Sequence, residues 1–178
     1  LTWFDRTGKS LGSVGEPDEN GLLYPELSPD GRRLAVLRAV QNNADVWLMD
    51  LLRGGLTRLT SDPGLDQMAI WSPDGMRIAF MSNRKGALNL YMTSANGAGG
   101  EELVLESPAQ KNAQDWSKDG RWLLFVENSV QSARDLWVLD LTSPDRKPRP
   151  VVNGPAEERG GQFSPDGHWI AYEPNESA

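Results

Sequence analysis

Short apolar segments alternate along the chain with clusters of turn-forming residues. The segments at 33–37 and 77–81 are apolar on both faces of a strand, as expected of a sheet that packs between two neighbouring sheets. Gly and Pro number 18 and 12, a density that favours many short strands joined by turns over long helices. The pattern therefore predicts an all-β protein.

The apolar segments fall into groups of four, which we label strands A to D. The predicted A strands lie at 24–27, 68–71, 113–116 and 160–163, and the B strands at 33–37, 77–81, 122–126 and 169–172. The predicted C strands lie at 1–4, 46–49, 90–93 and 136–139, and the D strands at 11–14, 56–60, 102–105 and 150–152. Four short strands in about 45 residues are typical of one blade of a β-propeller.

A four-residue motif joins each predicted A strand to its B strand and recurs at intervals of 44, 45 and 47 residues. Its copies are Ser28-Pro29-Asp30-Gly31, Ser72-Pro73-Asp74-Gly75, Ser117-Lys118-Asp119-Gly120 and Ser164-Pro165-Asp166-Gly167. Proline presets φ, Ser and Asp hydrogen-bond nearby backbone amides, and Gly adopts a positive φ. Lys118 replaces proline in the third copy, where only the preset φ is lost. We interpret all four copies as structural turns of A–B hairpins.

The second copy carries a resemblance to a known family. Residues 71–82 read Trp-Ser-Pro-Asp-Gly-Met-Arg-Ile-Ala-Phe-Met-Ser, which resembles the core of the TolB-type propeller repeat. The segments 1–6 and 169–173 are also similar to propellers attached to bacterial serine/threonine kinases. The resemblance implies a sheet-built scaffold of bacterial envelope proteins, extracytoplasmic and used for protein contacts, and it names no ligand.

The repeats predict one propeller domain over residues 1–178. It comprises a half blade at 1–15 with strands C and D, whole blades at 16–63, 64–110 and 111–157, and a half blade at 158–178 with strands A and B. Three arrangements follow: one chain closes as a four-bladed ring, two chains exchange halves in an eight-bladed homodimer, or the chain is a piece of a longer propeller. The start at Leu1 instead of a methionine fits a processed or partial chain. We expect the homodimer, because unpaired strand edges invite pairing and two-fold symmetry is the commonest.

The composition excludes several classes of function. A net charge of −7 and a pI near 4.8 repel phosphate backbones, so we expect no nucleic-acid partner. No apolar run approaches the roughly 18 residues of a membrane helix, and the first residues lack the pattern of a signal peptide. The absence of cysteine excludes disulfides and thiolate metal sites.

Catalytic residue types are scarce. The one histidine, His168, follows the last turn, and a Ser164-Asp166-His168 triad would lie on a single hairpin. The neighbouring repeats carry Met76 or Arg121 at that position. Nucleophile elbows, phosphate-binding loops and dinucleotide fingerprints are absent, and the acidic clusters lack a calcium-loop pattern. We therefore predict no enzyme, no cofactor and no metal site.

Topology indicates the best place for a binding site. Propellers bind ligands where the D–A connections meet at the channel mouth, and two sets of equivalent positions precede the turn motifs there. The first set is Leu23, Gln67, Asn112 and Arg159, and the second is Leu22, Asp66, Lys111 and Glu158. We predict that the chain is a non-catalytic protein-interaction, scaffold or sensor module. Its protein partner would bind at the six polar members of these two sets. The alternatives are a propeller that gates a prolyl-oligopeptidase-type hydrolase and a purely structural assembly unit.

Overall fold

The computed structural model describes residues 1–128, 134–152, 154 and 156–175. Sixteen strands form within these residues, and every strand pair is antiparallel. The described residues contain no α-helix. The predicted fold class, an all-β propeller architecture built from four-stranded antiparallel blades, is confirmed.

Three sheets have four strands each, in chain order from one edge to the other. The first contains β3 (Leu23–Leu27), β4 (Arg33–Val40), β5 (Asn43–Asp50) and β6 (Leu56–Arg58). The second contains β7 (Asp66–Trp71), β8 (Arg77–Ser82), β9 (Asn89–Ser94) and β10 (Glu102–Leu105). The third contains β11 (Gln110–Trp116), β12 (Trp122–Asn128), β13 (Asp135–Asp140) and β14 (Pro148–Val152).

Two further sheets have two strands each. One joins β1 (Thr2–Phe4) to β2 (Ser10–Ser13), and the other joins β15 (Glu158–Phe163) to β16 (Ile170–Pro174). These pairs correspond to strands C and D and to strands A and B of a blade. They remain separate sheets, so this structure is not the ring in which one chain joins its own half blades. Trp3 on β1 and Trp169, which directly precedes β16, are 44% and 74% exposed.

Each A–B hairpin turn uses the same hydrogen bonds. In the second copy the Ser72 hydroxyl donates to Asp74 Oδ1 at 2.5 Å and accepts from the Arg77 amide at 2.8 Å. Gly75 has a φ of +68°, which an L side chain rarely adopts. The copy with Lys118 keeps the bond from the Ser117 hydroxyl to Asp119 Oδ1, at 2.6 Å. These bonds depend on the serine and the aspartate, so the turn survives the loss of proline.

The core lies between successive sheets. Trp71 of the second sheet packs in one cluster with Ala35 and Leu48 of the first, and its indole Nε1–H donates to the Glu26 carbonyl at 3.0 Å. Trp116 occupies the equivalent place between the second and third sheets. Large apolar side chains on both faces of a sheet are buried only if sheets stack on both sides, which explains the patterns at 33–37 and 77–81.

Candidate functional site

The first strands of successive sheets lie next to one another and form one wall of the molecule. β3, β7, β11 and β15 contact one another in this order. Each of them also shifts register against its hairpin partner, which is the mark of a β-bulge. Tyr24, Met68 and Gly160 have φ values of 50°, 53° and 61° at these irregularities. Left-handed backbone is costly for a non-glycine residue and re-aims the adjacent side chains, so the bulges shape this wall.

A pocket of about 410 Å³ opens on this wall, and we call it the inner pocket. It is lined by residues of the second and third sheets, of the connections that precede β9 and β13, and of β15: Gln67, Met68, Met81, Leu88, Gln110, Lys111, Asn112, Gln114, Val126, Asn128, Arg134 and Arg159. Three residues of the first predicted set, Gln67, Asn112 and Arg159, therefore lie around one concavity. Their role in binding remains a prediction.

Three residues of the second predicted set are buried near the starts of their strands. Asp66, Lys111 and Glu158 expose 0%, 1% and 2% of their surface, whereas the sequence places them on the D–A connections at the channel mouth. The cause is an earlier strand start, because the A strands begin one to three residues before the predicted positions. Of the three, only Lys111 contributes to the inner pocket.

Arg84 neutralises the buried Asp66. Its Nη2 donates to both oxygens of the Asp66 carboxylate, at 3.0 and 2.9 Å, and its Nη1 donates to Glu101. The guanidinium also lies 4.5 Å from the centre of the Tyr91 ring. Burial lowers the pKa of Arg84, but the bonds to Glu101 and Asp66 outweigh it and hold the pKa above its usual value. Arg84 thus pairs with the buried carboxylate of the first residue of β7.

Lys111 holds together the segments that lead into β11. Its ammonium group donates to Asn89 Oδ1 at 3.2 Å, to the Ala109 carbonyl at 2.8 Å and to the Ser107 hydroxyl. Glu127 Oε2 lies 3.3 Å from the same nitrogen. Burial lowers the pKa of Lys111, and the attraction of Glu127 opposes this shift. All three hydrogens of the ammonium are in use, so Lys111 supports the pocket wall and has none left to offer a ligand.

Glu158 is buried at the start of β15. Burial first, and the neighbouring Asp135 second, raise the pKa of its carboxyl group. The Oε2 atom has no hydrogen-bond partner among the described residues. Its backbone amide donates to the Arg134 carbonyl at 2.8 Å, which ties β15 to the third sheet.

Five side-chain amides line the inner pocket, and none hydrogen-bonds to another described residue. They belong to Gln67, Gln110, Asn112, Gln114 and Asn128. Asn112 Oδ1 is shielded from solvent as well as unpaired within the described ranges. The sequence reasoning missed Gln110 and Gln114, because it began the strand at residue 113. The alternation of amides at 110, 112 and 114 was the available signal.

The Ser164-Asp166-His168 group has the geometry of a turn. The Ser164 hydroxyl donates to Asp166 Oδ1 at 2.5 Å and accepts from the Trp169 amide, so it is not directed to the imidazole. His168 Nδ1 lies 3.5 Å from Asp166 Oδ2 on a side chain that is 76% exposed. In the described parts of the chain, no three His, Asp or Glu side chains are placed to hold a metal ion. The same residues include no helix that is long and apolar enough to cross a membrane.

The stacked four-stranded sheets and the concave inner wall define a β-propeller. A model of the TolB beta propeller domain matches residues 17–178, and the chain belongs to that family. This confirms the resemblance carried by the repeated turn motif.

The chain is similar to several known proteins. It is 28% identical over 117 residues to the Tol-Pal system protein TolB of Wolinella succinogenes, covering 66% of this chain and 27% of that protein. It is 30% identical over 109 residues to the uncharacterized peptidase YuxL of Bacillus subtilis, covering 57% and 16%. The crystal structure of TolB from Acinetobacter baumannii superposes with a TM-score of 0.76 at 24% identity, over 93% of this chain and 40% of that one. The chain thus spans less than a third of these two sequence relatives, and the activities of the whole proteins do not transfer to it.

Proposed function

We propose that this chain is a non-catalytic protein-interaction module that binds a segment of a partner protein in the inner pocket. The observation that carries the proposal is the set of five amide side chains on the pocket wall without partners among the described residues. Each amide offers both donors and an acceptor, which matches the alternating groups of a peptide backbone. Membership of the TolB family supports a scaffold or sensor role in an extracytoplasmic compartment.

The support beneath the pocket favours recognition by a preformed surface. Two buried side chains, Asp66 and Lys111, are held by ionic hydrogen bonds on strands β7 and β11, from which much of the wall is built. A wall held in this way loses little conformational freedom on binding, which preserves affinity.

A selected peptide tests this proposal. Twelve-residue peptides are selected from a displayed random library on the folded chain, and their affinities are measured by fluorescence anisotropy. We expect the double variant Gln67→Ala/Gln110→Ala to bind them about tenfold more weakly, because two hydrogen bonds of about 0.5–1.5 kcal/mol each are lost.

The matched control is Thr57→Ala on β6, the fourth strand of the first sheet and outside the inner pocket. Its affinity should equal that of the parent chain. Equal binding by the amide variant, or selection of peptides whose binding depends on Thr57, would reject the inner pocket as the interaction site.

A second candidate function is access control for a separate hydrolase domain. The similarity to the peptidase YuxL favours access control, because the matching segment of YuxL is a small part of a much longer protein. Sequencing of the reading frame on both sides discriminates the two. A Gly-x-Ser-x-Gly nucleophile elbow in a neighbouring domain supports the hydrolase, since that motif places a serine on a strand-to-helix turn.

We also propose that two isolated chains of this sequence exchange their two-stranded sheets. In the complete sheets Ala35 pairs with Leu48 across strands B and C, and the equivalent residues are Ala171 and Trp3. Exchange would place Ala171 of one copy opposite Trp3 of the other. The exposed apolar side chains on β1 and β16 would then be covered.

Cysteine cross-linking tests the exchange in a chain that has no native cysteine. Trp3→Cys/Ala171→Cys should give a covalent dimer on oxidation, and light scattering should give twice the 19.6 kDa of one chain. In the control, Trp3→Cys/Tyr172→Cys, the second cysteine points to the opposite face of the strand and should link poorly. A monomer in both measurements excludes the exchange.

A further inference from the structure

The inner pocket carries cationic groups in a protein that is acidic overall. Arg134 and Arg159 are on its lining and no Asp or Glu is, although the chain has a net charge of −7. The remaining cation of the lining, Lys111, is already paired with Glu127. The local charge of the wall therefore has the opposite sign to that of the whole molecule, which favours an anionic group in the pocket.

The acidic groups near the two arginines lie beside or behind the wall. Glu157 pairs with Arg159 at the rim, and Arg134 also lies near its carboxylate. Glu158 is buried behind the rim, and burial and the neighbouring Asp135 raise the pKa of its carboxyl group. An incoming carboxylate would compete with Glu157 for Arg159, whose side chain is half exposed.

Two of the amides on β11 have the spacing of an extended peptide. Gln110 and Asn112 occupy alternate positions in the regularly paired part of the strand, Gln114 is the unpaired residue of its bulge, and all three line the pocket. Alternate residues of a strand lie about 6.6 Å apart, which is also the two-residue repeat of an extended ligand. The apolar side chains of Met81 and Val126 line the same pocket and would contact the ligand's aliphatic groups.

The lining favours a peptide over a nucleotide. Nucleobases are commonly held by stacking on aromatic side chains, and the inner pocket has none among its lining residues. Its volume of about 410 Å³ lies within the usual range for ligand pockets, about 300–1,000 Å³.

Resting on the proposed function, we infer that the inner pocket binds an extended peptide segment that carries a carboxylate. The amides on β11 contact the peptide backbone, and the carboxylate pairs with Arg159 and Arg134. The guanidinium fork of arginine suits such pairing, because it donates two parallel hydrogen bonds to one carboxylate.

Three labelled peptides test the inference by fluorescence anisotropy. They are Gly/Ser decapeptides that carry Glu-Gly-Glu, Gln-Gly-Gln or Lys-Gly-Lys at the centre. We expect the glutamate peptide to bind at least about tenfold tighter than the glutamine peptide, and the lysine peptide to bind weakest. Raising the salt from about 0.05 M to 0.3 M should weaken the glutamate peptide most, because salt screens exposed charges.

Variants on the rim distinguish recognition of the carboxylate charge from nonspecific peptide binding. Arg159→Gln should weaken the glutamate peptide about tenfold and leave the glutamine peptide unchanged. Glu157→Gln removes the competing carboxylate and should strengthen the glutamate peptide several-fold. The control Arg53→Gln changes an exposed arginine outside the pocket and should have no effect.

The outcomes separate this inference from the proposed function. Equal binding of the glutamate and glutamine peptides, or preference for lysine, overturns carboxylate recognition and leaves peptide binding intact. Library-selected peptides that bind while none of the three designed peptides does also overturn it. If neither the selected nor the designed peptides bind, both proposals fail.

Discussion

Replacing Arg84 with methionine is expected to lower the free energy of unfolding by about 3–5 kcal/mol, which would be a large share of the stability of a domain this size. Methionine keeps the apolar stem but removes the charge. The Asp66 carboxylate, which is 0% exposed, would then be buried without the guanidinium that donates to both its oxygens. Urea denaturation followed by tryptophan fluorescence measures the change.

The control for Arg84 is Arg53→Met, which changes an exposed arginine and should alter stability by less than about 0.5 kcal/mol. Adding Asp66→Asn to Arg84→Met should recover part of the loss, because an amide is cheaper to bury than an unpaired charge. A loss as small as that of the control, or a double variant less stable than the single one, would show that the ion pair does not hold β7.

Replacing Lys111 with methionine is expected to cost about 3 kcal/mol. The change leaves Asn89 Oδ1 and the Ala109 carbonyl without their ammonium donor, and Glu127 without its cation. Because Lys111 contributes to the inner pocket, the variant should also weaken the peptides selected on the parent chain. Denaturation and anisotropy on the same sample measure both effects.

The control for Lys111 is Lys147→Met, a change at a lysine whose side chain is 83% exposed and which should be neutral within about 0.5 kcal/mol. The double variant Lys111→Met/Glu127→Gln should be more stable than Lys111→Met alone, since it removes the unpaired carboxylate. A neutral Lys111→Met would mean that solvent replaces the ammonium at no cost, and the support assigned to it would be wrong.

Together these variants connect the stability of the fold to its proposed function. Arg84 and Lys111 act at the starts of β7 and β11, two strands that supply much of the inner pocket. Loss of the Arg84 or Lys111 side chain should weaken peptide binding, and the weakening should increase with the loss of order in β7 or β11. A variant of the pocket surface, such as Gln67→Ala/Gln110→Ala, should change affinity with little effect on stability.

The sequence alone was sufficient for the blade architecture. A turn depends on four neighbouring residues, and the alternation of apolar and polar side chains in a strand extends over about six. Both can therefore be predicted from the sequence without knowledge of tertiary contacts. The order of four strands per blade and the resemblance to the TolB family follow from these local signals, and the structure and the family match confirm them. The candidate positions Gln67, Asn112 and Arg159 also came from this periodicity, and they lie around one pocket.

The tertiary structure decided which of the polar positions face the pocket and which are buried. Asp66 and Lys111 look alike in sequence as polar residues before an A strand, yet their partners Arg84 and Glu127 lie 18 and 16 residues further on. Charge neutralisation over such distances has no local pattern. The lining of the inner pocket comes from the second and third four-stranded sheets, their connections and the two-stranded sheet of β15 and β16. The pocket therefore exists only once these sheets stack. Local rules specify strands and turns, whereas burial and charge pairing depend on neighbours that only the stacking of the sheets brings together.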